Sequence, residues 1–312
     1  MRSDIVGVTG WQAAARNPLS GRRKVGALRA RVVQTSRMHA RSALFDVWGD
    51  HIAARGGRAP IAALVRLLAA LDISEPAVRT AVSRMVRQGW LVSKPTSQGA
   101  GYELTDRARA RLDDASRRIY RTSAAPPWEG RWHLVVLPQI RNRSRRDRVR
   151  AALGFLGYAP LDGGTWLAPR PAAGLAASLA AEDVQAYCFD GTPSTVGGHG
   201  STRPEVMDPA ALARTVWDLD GLATAYRRWH QQAGEWAEQA GPDTDDERQF
   251  AARSLLVHEW RKFLFTDPTL PAELLPADWP GHAAAEFFDR ESARLGPAAA
   301  RFVDACLHSA GA

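Results

Sequence analysis

Apolar positions acquire a sustained period only near Arg41. In SALFDVWG, Leu44, Val47 and Trp48 recur at helical spacing, so one face is apolar. GGRAP interrupts the pattern, and Pro60 opens IAALVRLLAAL at a position where a missing N–H costs nothing. LDIS turns the chain. Ser74 suits an N-cap, Glu75 and Pro76 suit a first turn, and AVRTAVSRMVRQ runs to Gly89, a helix stop. Trp90, Leu91 and Val92 then read as a short strand, residues 94–101 as a polar turn and residues 102–104 as the returning strand. A basic helix over 106–120 follows. Three helices and a two-stranded wing predict a winged helix-turn-helix over residues 37–121.

After the linker-like TSAAPPWEG, RWHLVVL, GTWLAP and VQAYCF read as strands, with helices in SRRDRVRAALGFLG and PAAGLAASLA between them. That alternation predicts a small α/β or α+β sandwich over 128–190. GTPSTVGGHGSTRP reads as a second linker. From 205 to 312 the pattern is helical, so the chain divides into three blocks behind residues 1–36. Those first residues carry Gly, Pro, Ser and Arg without a period. They read as a flexible basic arm, either hugging a DNA backbone or ahead of a true start at Met38.

Charge sharpens this division. Residues 1–121 hold 22 basic and 9 acidic side chains, whereas residues 151–312 hold 12 and 22. A basic front attracts phosphate, although 38 of the 41 bases are Arg, a sign of codon bias that does not explain why acids avoid the front. No apolar run approaches the roughly 20 residues that span a bilayer, and no signal-peptide core opens the chain, so a cytoplasmic location is expected. Cys188 and Cys306 are isolated in sequence and read as buried small hydrophobes.

In the helix AVRTAVSRMVRQ, Val78, Val82, Met85 and Val86 face inward, and Arg79, Thr80, Ser83, Arg84 and Arg87 face away. Such a helix can enter a major groove and read base edges, or it can be an ordinary amphipathic helix with a solvated basic face. Lys94, Ser97 and Gln98 in the wing are candidate phosphate or minor-groove contacts. RNRSRRDRVR is dense enough to bind a second phosphate stretch and equally suits a solvated helix face. Toward the C-terminus, Trp217, Tyr226, Trp229, Trp236 and Trp260 lie among Arg227, Arg228, His230, His258 and Arg261. They form either a core or an aromatic pocket with cationic guards for an anionic, partly apolar effector. Trp217, Tyr226, Arg227, Trp229, His230, His258 and Arg261 are its candidate residues.

Catalytic signatures are sparse. HEWRK puts Lys262 where a zinc-protease helix needs its second His, and the acids at 243–247 lack the Gly and closing Glu of a calcium loop. Neither GxSxG nor a P-loop occurs. No catalytic residue, metal or cofactor is expected. Two rivals stand beside DNA reading: an enzyme using His258 and Glu259 as acid and base, and a non-specific RNA-binding or architectural module.

Three stretches, SALFDVWGDHIAARGG, AVRTAVSRMVRQGWLVSK and DPTLPAELLPADWPGHAA, closely resemble the PaaX family of bacterial transcriptional repressors, best known for controlling phenylacetic acid degradation. The resemblance runs from about Arg41 to Val303. It implies an α+β chain with an N-terminal winged helix-turn-helix, a central ferredoxin-like domain similar to the Cas2 fold, and an all-helical C-terminal domain for effector binding or dimerisation. It also implies a homodimer on a palindromic double-stranded operator, released by an aryl-CoA thioester such as phenylacetyl-CoA. Matched to the family motif, AVRTAVSR gives Arg79, Thr80, Ser83 and Arg84 the DNA-reading role. Cas2 nucleases resemble one another in an acid at the end of the first strand. Here that strand runs out through HLVVLPQI, with Pro138 and no carboxylate, which argues against metal-dependent cleavage.

Overall fold

The computed structural model describes residues 38–96, 99–120, 127–195 and 205–308. The expected basic arm, the wing-tip residues Ser97 and Gln98, and residues 196–204 of the Gly-rich stretch lie outside the described residues. The chain is mixed α/β with a helical C-terminal region, and it forms two compact units, neither a single stretch of sequence. Among the described residues, one unit joins 38–120 to 229–262 and 285–308, and the other joins 127–228 to 263–284.

The first unit opens with α1 (Ala40–Val47), a π-helical turn (Trp48–Ile52) and a 3-10 turn (Ala53–Arg55). Then come β1 (Arg58–Pro60), α2 (Ile61–Ala69), α3 (Glu75–Arg87), β2 (Leu91–Ser93), β3 (Gly101–Leu104) and α4 (Asp106–Ile119). The apolar stripe of α1 is buried as its spacing predicts, with Leu44 and Trp48 fully enclosed. Leu64, Leu67 and Leu68 of α2 are fully buried too, each contributing roughly 1.5–3 kcal/mol. β1 is a departure from the sequence reading, which takes GGRAP only as punctuation. Strand order is β1-β3-β2, all antiparallel, with Arg58 opposite Glu103 and paired to it at 3.1 Å. Three residues are too few to show alternation, and Pro60 is tolerated because β1 is an edge. At the neck of the hairpin only glycine fits position 101, since a Cβ there would sit 2.4 Å from the Thr96 methyl and 2.8 Å from the Lys94 carbonyl oxygen.

The other unit contains β4 (Trp132–Val136), α5 (Arg143–Phe155), β5 (Ala159–Asp162), β6 (Thr165–Ala168), α6 (Leu175–Ala181) and β7 (Tyr187–Gly191). The sheet order is β5-β6-β4-β7, the split β-α-β arrangement, with every neighbouring pair antiparallel. Val135, Val149, Leu153, Tyr158 and Trp166 form its core. The sequence pattern shows five of these six elements but not β5, because APLD has no alternation and carries a proline. Cys306 is buried as expected, but Cys188 is exposed. It lies on edge strand β7, beside Tyr187 at 75% and Phe189 at 56% exposure, where among the described residues no further strand pairs with it. Two short strands, β8 (Ser194–Thr195) and β9 (Glu205–Val206), pair at the ends of the Gly-rich stretch.

The helical region comprises α7 (Pro209–Val216), α8 (Leu219–Gln239), α9 (Asp246–Trp260), 3-10 turns at Arg261–Phe265 and Ala272–Leu274, and α10 (Pro280–His308). The helical pattern read from residue 205 on is interrupted at Trp217, between α7 and α8. Asp218 ends it by accepting the Gly221 N–H at 2.9 Å, which starts α8 afresh.

Candidate nucleic-acid interface

α3 is held by one face and bare on the other. Val78 and Met85 are fully buried, Ala81 and Val82 nearly so, and Val86 is half-buried. Arg79, Thr80, Ser83, Arg84 and Arg87 are all exposed. The tight turn ahead of α3 depends on Asp72 in left-handed backbone (φ 56°), and Ser74 takes the N-cap position by its backbone alone, without a side-chain cap. Glu75 accepts a 2.7 Å hydrogen bond from Arg79 one turn on, so this guanidinium has an internal competitor for any outside anion. Arg84 and Arg87 hold no such partner among the described residues. They also lie in the last turn, where cations complement the helix dipole. Lys94 follows β2, exposed at the start of the hairpin turn.

Behind this face lies a buried ionic network that sequence reasoning missed. Asp46 on α1 forms an ion pair with Arg261, its carboxylate oxygen 2.6 Å from the Nε, and its other oxygen lies 2.7 Å from the His258 Nδ1. One turn later Asp50 accepts a hydrogen bond from Tyr120 Oη and forms an ion pair with the Arg253 guanidinium. Arg253 also donates to Tyr120 Oη at 3.2 Å and to the Ser292 carbonyl at 3.1 Å. Trp260 Nε1 donates to the Ile119 carbonyl at 3.2 Å, and Arg55 pairs with Asp304 at 2.6 Å. α9 is thus bound to α1 by charge as well as by packing. Burial lowers the Arg253 pKa to about 10, so it stays cationic near neutrality, and burial first, then Asp46, raises that of Tyr120. A signal was available: Asp46 and Asp50, four residues apart beside the apolar Leu44, Val47 and Trp48, need partners once buried.

His51 sits in the same region against Phe250. Burial first, then repulsion from Arg55, lowers its pKa to about 4. The unfolded chain therefore takes up a proton below about pH 6.5 that the folded chain refuses until about pH 4. Stability falls as pH drops through that window, by on the order of 3 kcal/mol from this group. His51→Gln should flatten the acid limb of unfolding free energy against pH in urea titrations, and an unchanged limb would refute the assignment.

The residues expected to form an effector pocket are divided between the two units. In one, Trp217 stacks on Trp132 at 5.9 Å, Tyr226 stacks on Phe263 at 4.0 Å and donates its hydroxyl to Asp267, and Arg227 is exposed. In the other, Trp229 packs on Trp260 at 4.7 Å, His230 lies half-buried against Phe287, and His258 and Arg261 turn inward to Asp46. His258 and Glu259 do not converge either, since Glu259 is paired with Lys262 at 2.5 Å. Among the described residues no cluster of His, Cys, Asp and Glu could hold a metal, and no helix is long and apolar enough to cross a membrane.

This exposed basic helix and hairpin are accompanied by family matches along nearly the whole described chain. The PaaX-like protein model matches residues 39–108, the PaaX protein central Cas2-like domain matches 125–202, and the PaaX-like protein C-terminal domain matches 217–305. The chain belongs to the PaaX family, and this places it among regulators of transcription rather than enzymes. It is 31% identical over 269 residues to the transcriptional repressor PaaX of Escherichia coli (strain K12), covering 84% of this chain and 82% of the relative. A solved structure, an uncharacterized protein, Rv0674, from Mycobacterium tuberculosis, matches with a TM-score of 0.54 and 26% identity, covering 84% of this chain and 98% of that one.

Proposed function

We propose that this chain is a sequence-specific DNA-binding repressor whose residues 37–121 act as a winged helix-turn-helix, with α3 in the major groove. The observation that carries this reading is the bare face of α3, where Arg79, Thr80, Ser83, Arg84 and Arg87 are all exposed over a buried row of Val78, Val82 and Met85. Residues 128–190 serve as a ferredoxin-like central domain, and residues 205–312 carry effector or dimer functions. Homodimerisation on a palindromic operator is supported by edge strand β7, whose exposed Tyr187 and Phe189 offer an unpaired ladder to a second copy. An aryl-CoA or related acyl-CoA effector releases the DNA; of the candidate effector residues Arg227 is exposed, and Trp217 and His230 are half-buried. The cellular site is the cytoplasm.

A duplex recovered by selection from a random-sequence library tests this reading by fluorescence anisotropy. Arg84→Ala should weaken binding about 5- to 150-fold, the value of one good bidentate base contact, with the thermal unfolding midpoint unchanged. Equal affinity for unrelated duplexes would favour an architectural module instead. Release of the bound duplex by phenylacetyl-CoA, but not by free CoA, is the expected effector result. Failure of every acyl-CoA to release it removes that ligand class.

A further inference from the structure

The helix α5 carries an arrangement that folding alone disfavours. Arg143, Arg145 and Arg146 occupy its N-terminal end, no acid lies in its first turn, and Arg141 stands just ahead of the Asn142 cap. Cations at a helix N-terminus oppose the macrodipole, and a local rule broken without an internal gain points to a use outside the fold.

The structure separates the six arginines of this cluster by what they already hold. Arg148 is spent, gripping Glu182 through two 2.7 Å hydrogen bonds, and Glu182 is itself buried. Arg145 reaches Asp183 only at 3.7 Å and Arg143 reaches Asp147 only at 3.9 Å, both as exposed, weak pairs. Arg141, Arg146 and Arg150 have no ion pair among the described residues. Val149 and Leu153 are buried and fix the inward face of the helix. Arg143, Arg146 and Arg150 then recur at i, i+3 and i+7 on one side, spanning roughly 10 Å of helix axis. Over such a length one strand of a duplex presents about three phosphates. Arg143 is 87% exposed and Arg150 is exposed, with Arg146 half-buried between them, so the stripe suits a backbone laid across it rather than a small ligand enclosed by it.

We propose that α5 is a second, sequence-independent contact for duplex DNA, in which Arg141, Arg146 and Arg150, assisted by Arg143, bind backbone phosphates. This rests on the DNA-binding reading above. The test measures affinity of the full chain for a 40-base-pair duplex carrying a library-selected site, from about 50 to 200 mM salt. Arg141→Gln/Arg146→Gln/Arg150→Gln should flatten the slope of log affinity against log salt by roughly 2 to 3. It should leave the preference for the selected site over a scrambled duplex unchanged. Arg214→Gln/Arg228→Gln/Arg248→Gln removes the same charge elsewhere and should keep the wild-type slope. Wild-type binding with an unaltered slope in the α5 variant, or an equal change in the control, overturns the inference while leaving the reader intact. A wild type without affinity for any duplex overturns both.

Discussion

Replacing Asp46 by alanine should lower the unfolding free energy by about 3–5 kcal/mol, because it strands the Arg261 guanidinium in the interior without its anion. Asp46 and Arg261 have side chains only 7% and 8% exposed, so water cannot take over the lost partner. Asp46→Asn keeps the acceptor oxygen and should cost less. Asp46→Leu combined with Arg261→Met removes both charges and should recover most of the loss, since a buried pair repays little more than its own desolvation. Urea titrations of the three variants distinguish these outcomes. If Asp46→Ala costs under about 1 kcal/mol, the pair behaves as a surface ion pair and the network does not hold α1 to α9.

Phe288→Ala should cost a comparable 3–5 kcal/mol. Phe288 is fully buried, stacked on Trp260 at 4.9 Å and tilted against Tyr120 at 5.8 Å. Truncation leaves a cavity that large rings cannot collapse into, and the transfer and cavity costs then add. The experiment also decides between the two readings of the C-terminal aromatics. As core residues, Trp229 and Trp260 should shift their fluorescence together with the unfolding transition. If they line a ligand pocket, the variant should instead lose effector response at nearly wild-type stability.

Much of the architecture was legible because short-range patterns carried it. The row Val78, Val82 and Met85 states which side of α3 is inward, and helix periodicity needs only neighbours to be read. The arginines of α5 were visible as a cluster, but not which of them were free. That depended on Glu182 and Asp183, more than 30 residues away in the chain and brought beside Arg148 and Arg145 by the fold. β1 and β5 escaped notice because three- and four-residue strands containing proline have no period, and only a partner strand makes them strands. The expected effector set grouped residues by aromatic and basic composition. Composition does not say which way a side chain points, and His258 and Arg261 point toward Asp46, over 200 residues earlier.

The amino-acid sequence by itself determined the helices, the hairpin, the exposed basic face of α3 and the family to which the chain belongs, since each is written in local spacing or in contiguous motifs. Only the tertiary structure decided that the first helices and the last ones share one compact unit, and that Asp46 and Asp50 are neutralised by Arg261 and Arg253. The physical reason is range. Amphipathic periodicity is set by residues three or four apart, whereas a buried charge is tolerated only where a distant segment supplies its counter-charge, and the partner of such a charge is known once the chain has folded.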